Sequence, residues 1–228
     1  MDDPDCDPVA LRTTYALFRP INRLVSGWRR IYLRQLRPAF SPTRATTLLD
    51  IGSGGGDVPR ALAAWAARDG LLLDVTAIDP DERAHEFASG LDPVANVRFR
   101  RMLSADLVAA HERFDIVTSN HLLHHLDQAG LAALLADSER LARRLVVHND
   151  IARGNLAYAV YRAATVPLAR GSFVHFDGSL SIRRSYRAPE LRSTLRDIGA
   201  DDGWHVDTSV PFRMILRWTP PRDGQSRA

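Results

Sequence analysis

The sequence predicts an α/β fold: a doubly wound, seven-stranded, mostly parallel sheet whose last hairpin runs antiparallel. Three observations predict it. From Thr46 to His148, short apolar runs of strand length alternate with segments of helical spacing, which implies right-handed β-α-β crossovers and helices on both sheet faces. The first apolar run ends in a cluster of glycines. Near the end of the chain, Trp204–Ser209 and Phe212–Trp218 read as two strands joined by a short turn at Pro211.

The elements follow in order. Val9 to Phe40 reads as helices, because Leu17, Ile21, Leu24, Val25 and Trp28 recur at helical spacing and Ile31, Leu33 and Leu36 continue the stripe. Pro20 interrupts that pattern and predicts two helices rather than one. Thr46–Ile51 is a run apolar on both faces, as a central parallel strand requires. Val58–Ala67 is helical, Leu71–Ile78 is the second strand, and Pro80–Ser89 is a helix with Asp81 and Glu82 well placed in its first turn. Val97–Met102 and Phe114–Ser119 are the third and fourth strands, Leu131–Ala142 a helix, and Leu145–His148 the fifth strand. Asn155–Leu168 and Pro189–Ile198 are helices. Residues 1–42 are expected to form an N-terminal helical cap and 43–219 one domain with an insertion at 151–187, leaving 220–228 as a flexible tail.

Composition narrows the function classes. The chain has 228 residues, 45% of them apolar, which suits one domain. No run of apolar residues is long enough to span a bilayer, and the acidic N-terminus lacks a signal pattern, so a cytoplasmic protein is expected. Cys6 is the single cysteine, which excludes an internal disulfide and a multi-cysteine metal site. Net charge is +3, and the arginine clusters around Arg29–Arg37 and Arg183–Arg187 do not interleave aromatics as a single-strand binding groove would. These clusters read as solvated helix faces, with no nucleic-acid partner expected.

Asp50-Ile51-Gly52-Ser53-Gly54-Gly55-Gly56-Asp57 carries the chemistry. Glycines between a strand and a helix let the backbone turn with positive φ and let a ligand approach main-chain N–H groups. Such a turn suits a dinucleotide, a phosphate or S-adenosylmethionine. Carboxylates at Asp50 and Asp57 would repel a pyrophosphate and favour a ligand bearing an ammonium group. The chain also lacks the lysine-bearing phosphate loop of nucleotide hydrolases.

From Thr46 to Asp150 the sequence resembles the class I S-adenosylmethionine-dependent methyltransferases, of Rossmann-like fold. The resemblance implies that Asp50, Gly52, Ser53, Gly54 and Gly56 face the methionine part of the cofactor. Asp79, with Pro80, matches the acid that accepts both ribose hydroxyls, for which two carboxylate oxygens are well suited. Ser104, Ala105, Asp106 and Leu107 match the adenine motif, with Asp106 on the amino group. Phe114 to Asp127, FDIVTSNHLLHHLD, matches the fourth motif and places Asn120 near the methyl group. His124 and His125 read as structural, since adjacent residues on a helix point about 100° apart, and no metal is expected.

The N-terminal helices and the stretch after the fifth strand should pack over the strand ends where open sheets bind ligands. They supply Tyr15, Phe18, Arg19, Trp28 and Tyr32, then Arg153, Tyr158, Tyr161, Phe173, His175 and Phe176, the composition of a small-molecule pocket. Tyr15, Arg19, Arg153, Tyr158 and Phe173 are the expected substrate contacts. His148 and then His175 are the expected general bases. The runs His148–Tyr158 and Asp177–Arg184 show a weaker resemblance to bacterial methyltransferases of polyketide and quinone pathways, which implies a phenolic, polyketide or quinone-like acceptor methylated at oxygen or carbon; a monomer or homodimer is expected. An RNA or protein methyltransferase, a non-catalytic cofactor-binding module and a nicotinamide oxidoreductase are the alternatives.

Overall fold

The computed structural model describes residues 6–221, apart from the side chains of Phe18, Arg19, Ile21, Arg23, Leu24 and Val25. The expected tail therefore falls mostly outside the described residues, as does the Arg19 side chain expected to meet substrate.

Helix α1, Pro8–Val25, starts where Asp7 accepts the Val9 N–H at 2.9 Å. It runs unbroken through Pro20, against the expectation that the break between two helices falls there. Leu11, Thr14, Tyr15 and Asn22 are buried along it, and packing of one face tolerates the hydrogen bond that proline forfeits. The break comes instead at Gly27, whose φ of 72° a side chain would resist. Helix α2, Trp28–Ile31, leads through a π turn at Tyr32–Leu36 and a 3-10 turn at Arg37–Ala39. Trp28, Ile31, Tyr32 and Leu36 are buried there against one face of the sheet.

The core then alternates: β1 Thr46–Ile51, α3 Asp57–Arg68, β2 Leu73–Ile78, α4 Glu82–Ser89, β3 Val97–Arg100, α5 Ser104–Ala109, β4 Phe114–Asn120, α6 Gln128–Leu141 and β5 Ala142–Ile151. Helices α7 Asn155–Thr165, α8 Val174–Arg184 and α9 Ala188–Asp197 follow, then strands β6 Trp204–Ser209 and β7 Arg213–Trp218. The seven strands lie in the order β3-β2-β1-β4-β5-β7-β6. The first five are parallel, while β7 runs antiparallel to both β5 and β6.

Apolar runs mark the central strands because both faces are covered. Leu48, Ile116, Val147 and Ile215 face the cluster that holds α2 and α3. Their neighbours Leu49, Val117, Val146 and Leu216 face the cluster that holds α6 and α9. Strand order reverses between β1 and β4, and the glycine turn leaves β1 at that point, which is where open sheets form a crevice.

Two elements go beyond the sequence reading. Strand β5 extends to Ile151, past the expected end at His148, because its polar residues find partners on neighbouring segments. Helix α8 lies in the expected insertion at 151–187, in a stretch for which the sequence reading set no helix bounds. Gly178 lets α8 pack closely on α7: a Cβ there would stand 1.9 Å from the Tyr161 hydroxyl oxygen.

Candidate functional site

A cavity of about 800 Å³ opens at the C-terminal ends of the parallel strands. One end is the glycine turn. Gly52, Gly54 and Gly56 have φ of 69°, 51° and 76°. A Cβ at Gly56 would come 2.6 Å from the Phe99 ring, whereas one at Gly54 would meet open space. Thus Gly56 closes the turn onto β3, and Gly54 leaves backbone open to a ligand. Asp50 is 1% exposed and accepts the Thr118 hydroxyl at 2.8 Å. Burial pushes its carboxyl up to about 7, with Asp57 and Asp79 adding to the rise and the Thr118 bond opposing it. Asp79 takes the Gly54 N–H at 2.8 Å and the Asp81 N–H at 2.9 Å, and burial raises its carboxyl too. Three acidic groups crowded into low dielectric favour a ligand that brings positive charge and hydroxyl donors. The residues present therefore fit a cationic nucleoside.

Helix α1 closes this end. Tyr15 lies on the cavity wall with its ring 5.2 Å from that of Phe87. Asn22 donates to Asp57 at 3.0 Å, tying the helix to the first residue after the glycines.

The middle of the cavity is polar and built from three strands. Asn120 at the end of β4 faces Asn149 on β5, and Ile151 faces Arg213 on β7. Asn120 Oδ1 accepts from Trp28 Nε1 at 2.9 Å, Asn149 Nδ2 at 3.2 Å and Arg213 Nη2 at 3.4 Å. His121 follows with a positive φ of 56° and donates its N–H to the Asn149 carbonyl at 2.9 Å. His124 lies in a 3-10 turn, Leu123–His125, rather than on a helix. Its Nδ1 stands 2.7 Å from Asp150 Oδ1, and its backbone N–H donates to Asp150 Oδ2 at 3.1 Å. The far wall is apolar, from Ile151 and from Ala157, Val160 and Ala164 of α7 with Leu180 and Ile182 of α8.

Of the expected site residues, Asp50, Gly52, Ser53, Gly54, Asp79, Asn120 and Tyr15 lie on this cavity. Gly56 stands behind it, and Pro80 begins the turn that Asp79 caps. Others are placed elsewhere. Asp106 is exposed and folds back to accept the Leu103 N–H at 2.9 Å, capping α5. Ser104 bonds Asp137 at 2.7 Å, Ala105 is exposed, and Leu107 is sealed in the core. None of these four residues is on the wall of this cavity.

His148, the first of the expected bases, is not on the cavity wall. Its ring is 0% exposed, stacks 5.6 Å from that of Trp204 and lies 2.8 Å from the Ser119 hydroxyl. Burial lowers its pKa to about 3, and no face of it reaches the cavity. The other expected base, His175, bonds the Thr165 hydroxyl at 2.9 Å from behind the cavity wall. Arg153 pairs with Glu190 and so anchors the segment after β5 to α9. Tyr158 carries the guanidinium groups of Arg162 and Arg183 at 5.7 and 5.3 Å from its ring centre. Phe173 packs with Leu11, Tyr15 and Ala84 behind the wall. Trp28 and Tyr32 are core residues, and Phe176 points to solvent at 71% exposure. The sequence reading missed Arg213, His121 and the link between His124 and Asp150. The adjacent histidines were the only local signal, since the partners come from strands far apart in sequence.

Residues 48–145 match the methyltransferase domain family. That match covers less than half of the chain and includes the glycine turn and Asp79 on the cavity wall. Two curated proteins are similar to the chain. The ubiquinone biosynthesis O-methyltransferase of Cereibacter sphaeroides is 35% identical over 106 residues, 44% of this chain and 38% of that protein. The ubiquinone biosynthesis O-methyltransferase of Methylobacterium sp. is 34% identical over 91 residues, 37% of this chain and 32% of that protein. The chain thus spans between 32% and 38% of these relatives' length.

Among solved structures, the plantazolicin methyltransferase BpumL in complex with SAH superimposes with a TM-score of 0.64 at 14% identity, covering 94% of this chain and 95% of that one. Human N-acetylserotonin methyltransferase in complex with SAM gives 0.65 at 10% identity, covering 93% and 56%. At such identities the likeness concerns the fold.

Proposed function

We propose that the protein transfers a methyl group from S-adenosylmethionine to a small phenolic, polyketide or quinone-like acceptor. One observation carries this reading: a single cavity runs from the acidic glycine turn, past a polar middle, to an apolar wall of α7 and α8. A cofactor and an acceptor would share it end to end, which is what aligned transfer between two bound molecules requires. When bound, the cofactor supplies a methyl group already activated on a sulfonium.

The chain's own residues position and enclose. Gly54 offers open backbone beside the cofactor, Asp50 answers its ammonium, and Asp79 answers its ribose hydroxyls. Asn120 stands at the junction of the two halves. Residues 1–42 act as a cap and 151–187 as a lid over the 43–219 domain. α8 packs on α7 and touches α1, so cap and lid close the same opening and exclude water. The apolar wall suits an aromatic acceptor, and the similarity to two ubiquinone biosynthesis O-methyltransferases supports that class. Among the described residues no helix is long and apolar enough to cross a membrane.

Purified protein incubated with methyl-labelled S-adenosylmethionine and a panel of phenols and hydroquinones tests this. Label in an extractable small product is the expected result. Label only in added RNA or protein would overturn the acceptor class.

A further inference from the structure

The cavity holds a buried cation that the positioning scheme above leaves unused. Arg213, the first residue of β7, is 3% exposed and lies on the cavity wall. Its guanidinium donates to two neutral amides, from Nε to Asn149 Oδ1 at 3.2 Å and from Nη2 to Asn120 Oδ1 at 3.4 Å. Asp150 acts on it only through space, because both oxygens of that carboxylate are committed to His124. Gly27 passes 3.4 Å from the Arg213 stem, measured from where a Cβ would stand, so the N-terminal cap holds the side chain in place. Beside it His121 has a buried Nε2 with no hydrogen-bond partner. The backbone of His121 is held at a positive φ of 56°, a conformation kept where a site demands it.

A buried guanidinium hydrogen-bonded only to neutral amides is costly, and so is a buried imidazole nitrogen left unbonded. A ligand that brings a negative oxygen relieves the first cost, and relieves the second where Nε2 carries the ring proton. We infer that Arg213 and His121 form an anion subsite that takes the acceptor as an oxyanion, a phenolate or enolate rather than a neutral hydroxyl compound.

This rests on the methyltransferase reading and sharpens its substrate class. The acceptor oxygen would form its bond to the methyl carbon while the carbon–sulfur bond breaks with its electron pair going to sulfur. Because the acceptor enters ionised, no proton needs to leave during transfer. Burial lowers Arg213 to about 10, still charged at neutral pH, and lowers His121 well below the usual range, so its ring stays neutral and meets an oxyanion through an N–H.

The test uses the protein loaded with S-adenosylhomocysteine and the chromophoric probe para-nitrophenol. The phenolate absorbs at longer wavelength than the phenol, so the spectrum of the bound probe reports its ionisation. The bound probe is expected to ionise at least one pKa unit lower than free probe, a tenfold preference for phenolate. Para-cresol, of similar size but not ionised at neutral pH, should bind at least about tenfold more weakly. Arg213→Met should keep S-adenosylhomocysteine binding and lose the phenolate preference, and Arg213→Lys should restore part of it. A wild-type protein that binds the nucleoside but binds both probes alike, or neither, overturns the inference alone, whether or not the variants fold. A variant that keeps the preference does the same. A wild-type protein that fails to bind the nucleoside overturns the methyltransferase reading and the inference with it.

Discussion

Asp150 holds His124 by two bonds: its Oδ1 lies 2.7 Å from His124 Nδ1, and its Oδ2 accepts the His124 backbone N–H at 3.1 Å. The Ile151 N–H adds a third bond to the same carboxylate, at 2.6 Å. The end of β5 is thereby fastened to the turn that follows β4, and the cavity's polar middle acquires a rigid frame.

This pairing predicts an acid-sensitive contribution to stability. Asp150 is held at about 2 by His124 and His121 and by its hydrogen bonds, which outweigh the rise from burial. A depressed carboxylate stabilises the fold above the unfolded value of 3.8, and that contribution is lost as pH falls through about 2. Asp150→Ala should cost about 3 kcal/mol at neutral pH, as for breaking a buried pair. Urea unfolding of both proteins at falling pH checks it: the gap should narrow below about pH 4.

Asp50 predicts the opposite sign. Its carboxyl is raised from 3.8 to about 7. Between those values the folded protein holds a proton that the unfolded chain has released, so stability without ligand falls as pH rises through the interval. An ammonium group arriving beside Asp50 favours the carboxylate. Calorimetric titration with S-adenosylhomocysteine near pH 6, in buffers of different ionisation enthalpy, should show proton release that Asp50→Asn abolishes.

Asp79→Ala should weaken S-adenosylhomocysteine binding by about 1–3 kcal/mol through lost charge-assisted bonds. The dissociation constants of wild type and variant, each shown folded by circular dichroism, decide the point.

Gly178→Ala tests the lid. A helical Gly→Ala change ordinarily gains up to about 1 kcal/mol, but the added carbon would stand 1.9 Å from the Tyr161 hydroxyl oxygen. Tyr161 is itself tied to the Val174 carbonyl at 2.6 Å and cannot simply swing away. Overpacking costs typically about 1–3 kcal/mol, so the variant's Tm should drop.

What could be read in advance follows from what is local. The central strands were legible because Leu48 and Leu49, or Ile116 and Val117, must be apolar on both sides of a covered sheet. The glycine turn was legible because positive φ restricts the residue type. Non-local compensation was not legible. Pro20 reads as a helix break, yet burial of one face of α1 carries the helix through it. His148 reads as poised at a strand end, yet β7 and β6 extend the sheet beside it and Trp204 covers its ring. Asp106 reads as an adenine ligand, and one oxygen of its carboxylate also caps its own helix, a bond the sequence reading did not foresee. The polar middle depends on β4, β5 and β7 meeting in register, which no window of sequence displays.

A crystal structure of the protein with S-adenosylhomocysteine is the most direct measurement. The account predicts the ribose hydroxyls on the Asp79 carboxylate, the amino acid end at Gly54 and Asp50, and the sulfur turned towards Asn120 and the apolar wall. Density for the nucleoside outside this cavity, or none at saturating concentration, would contradict it.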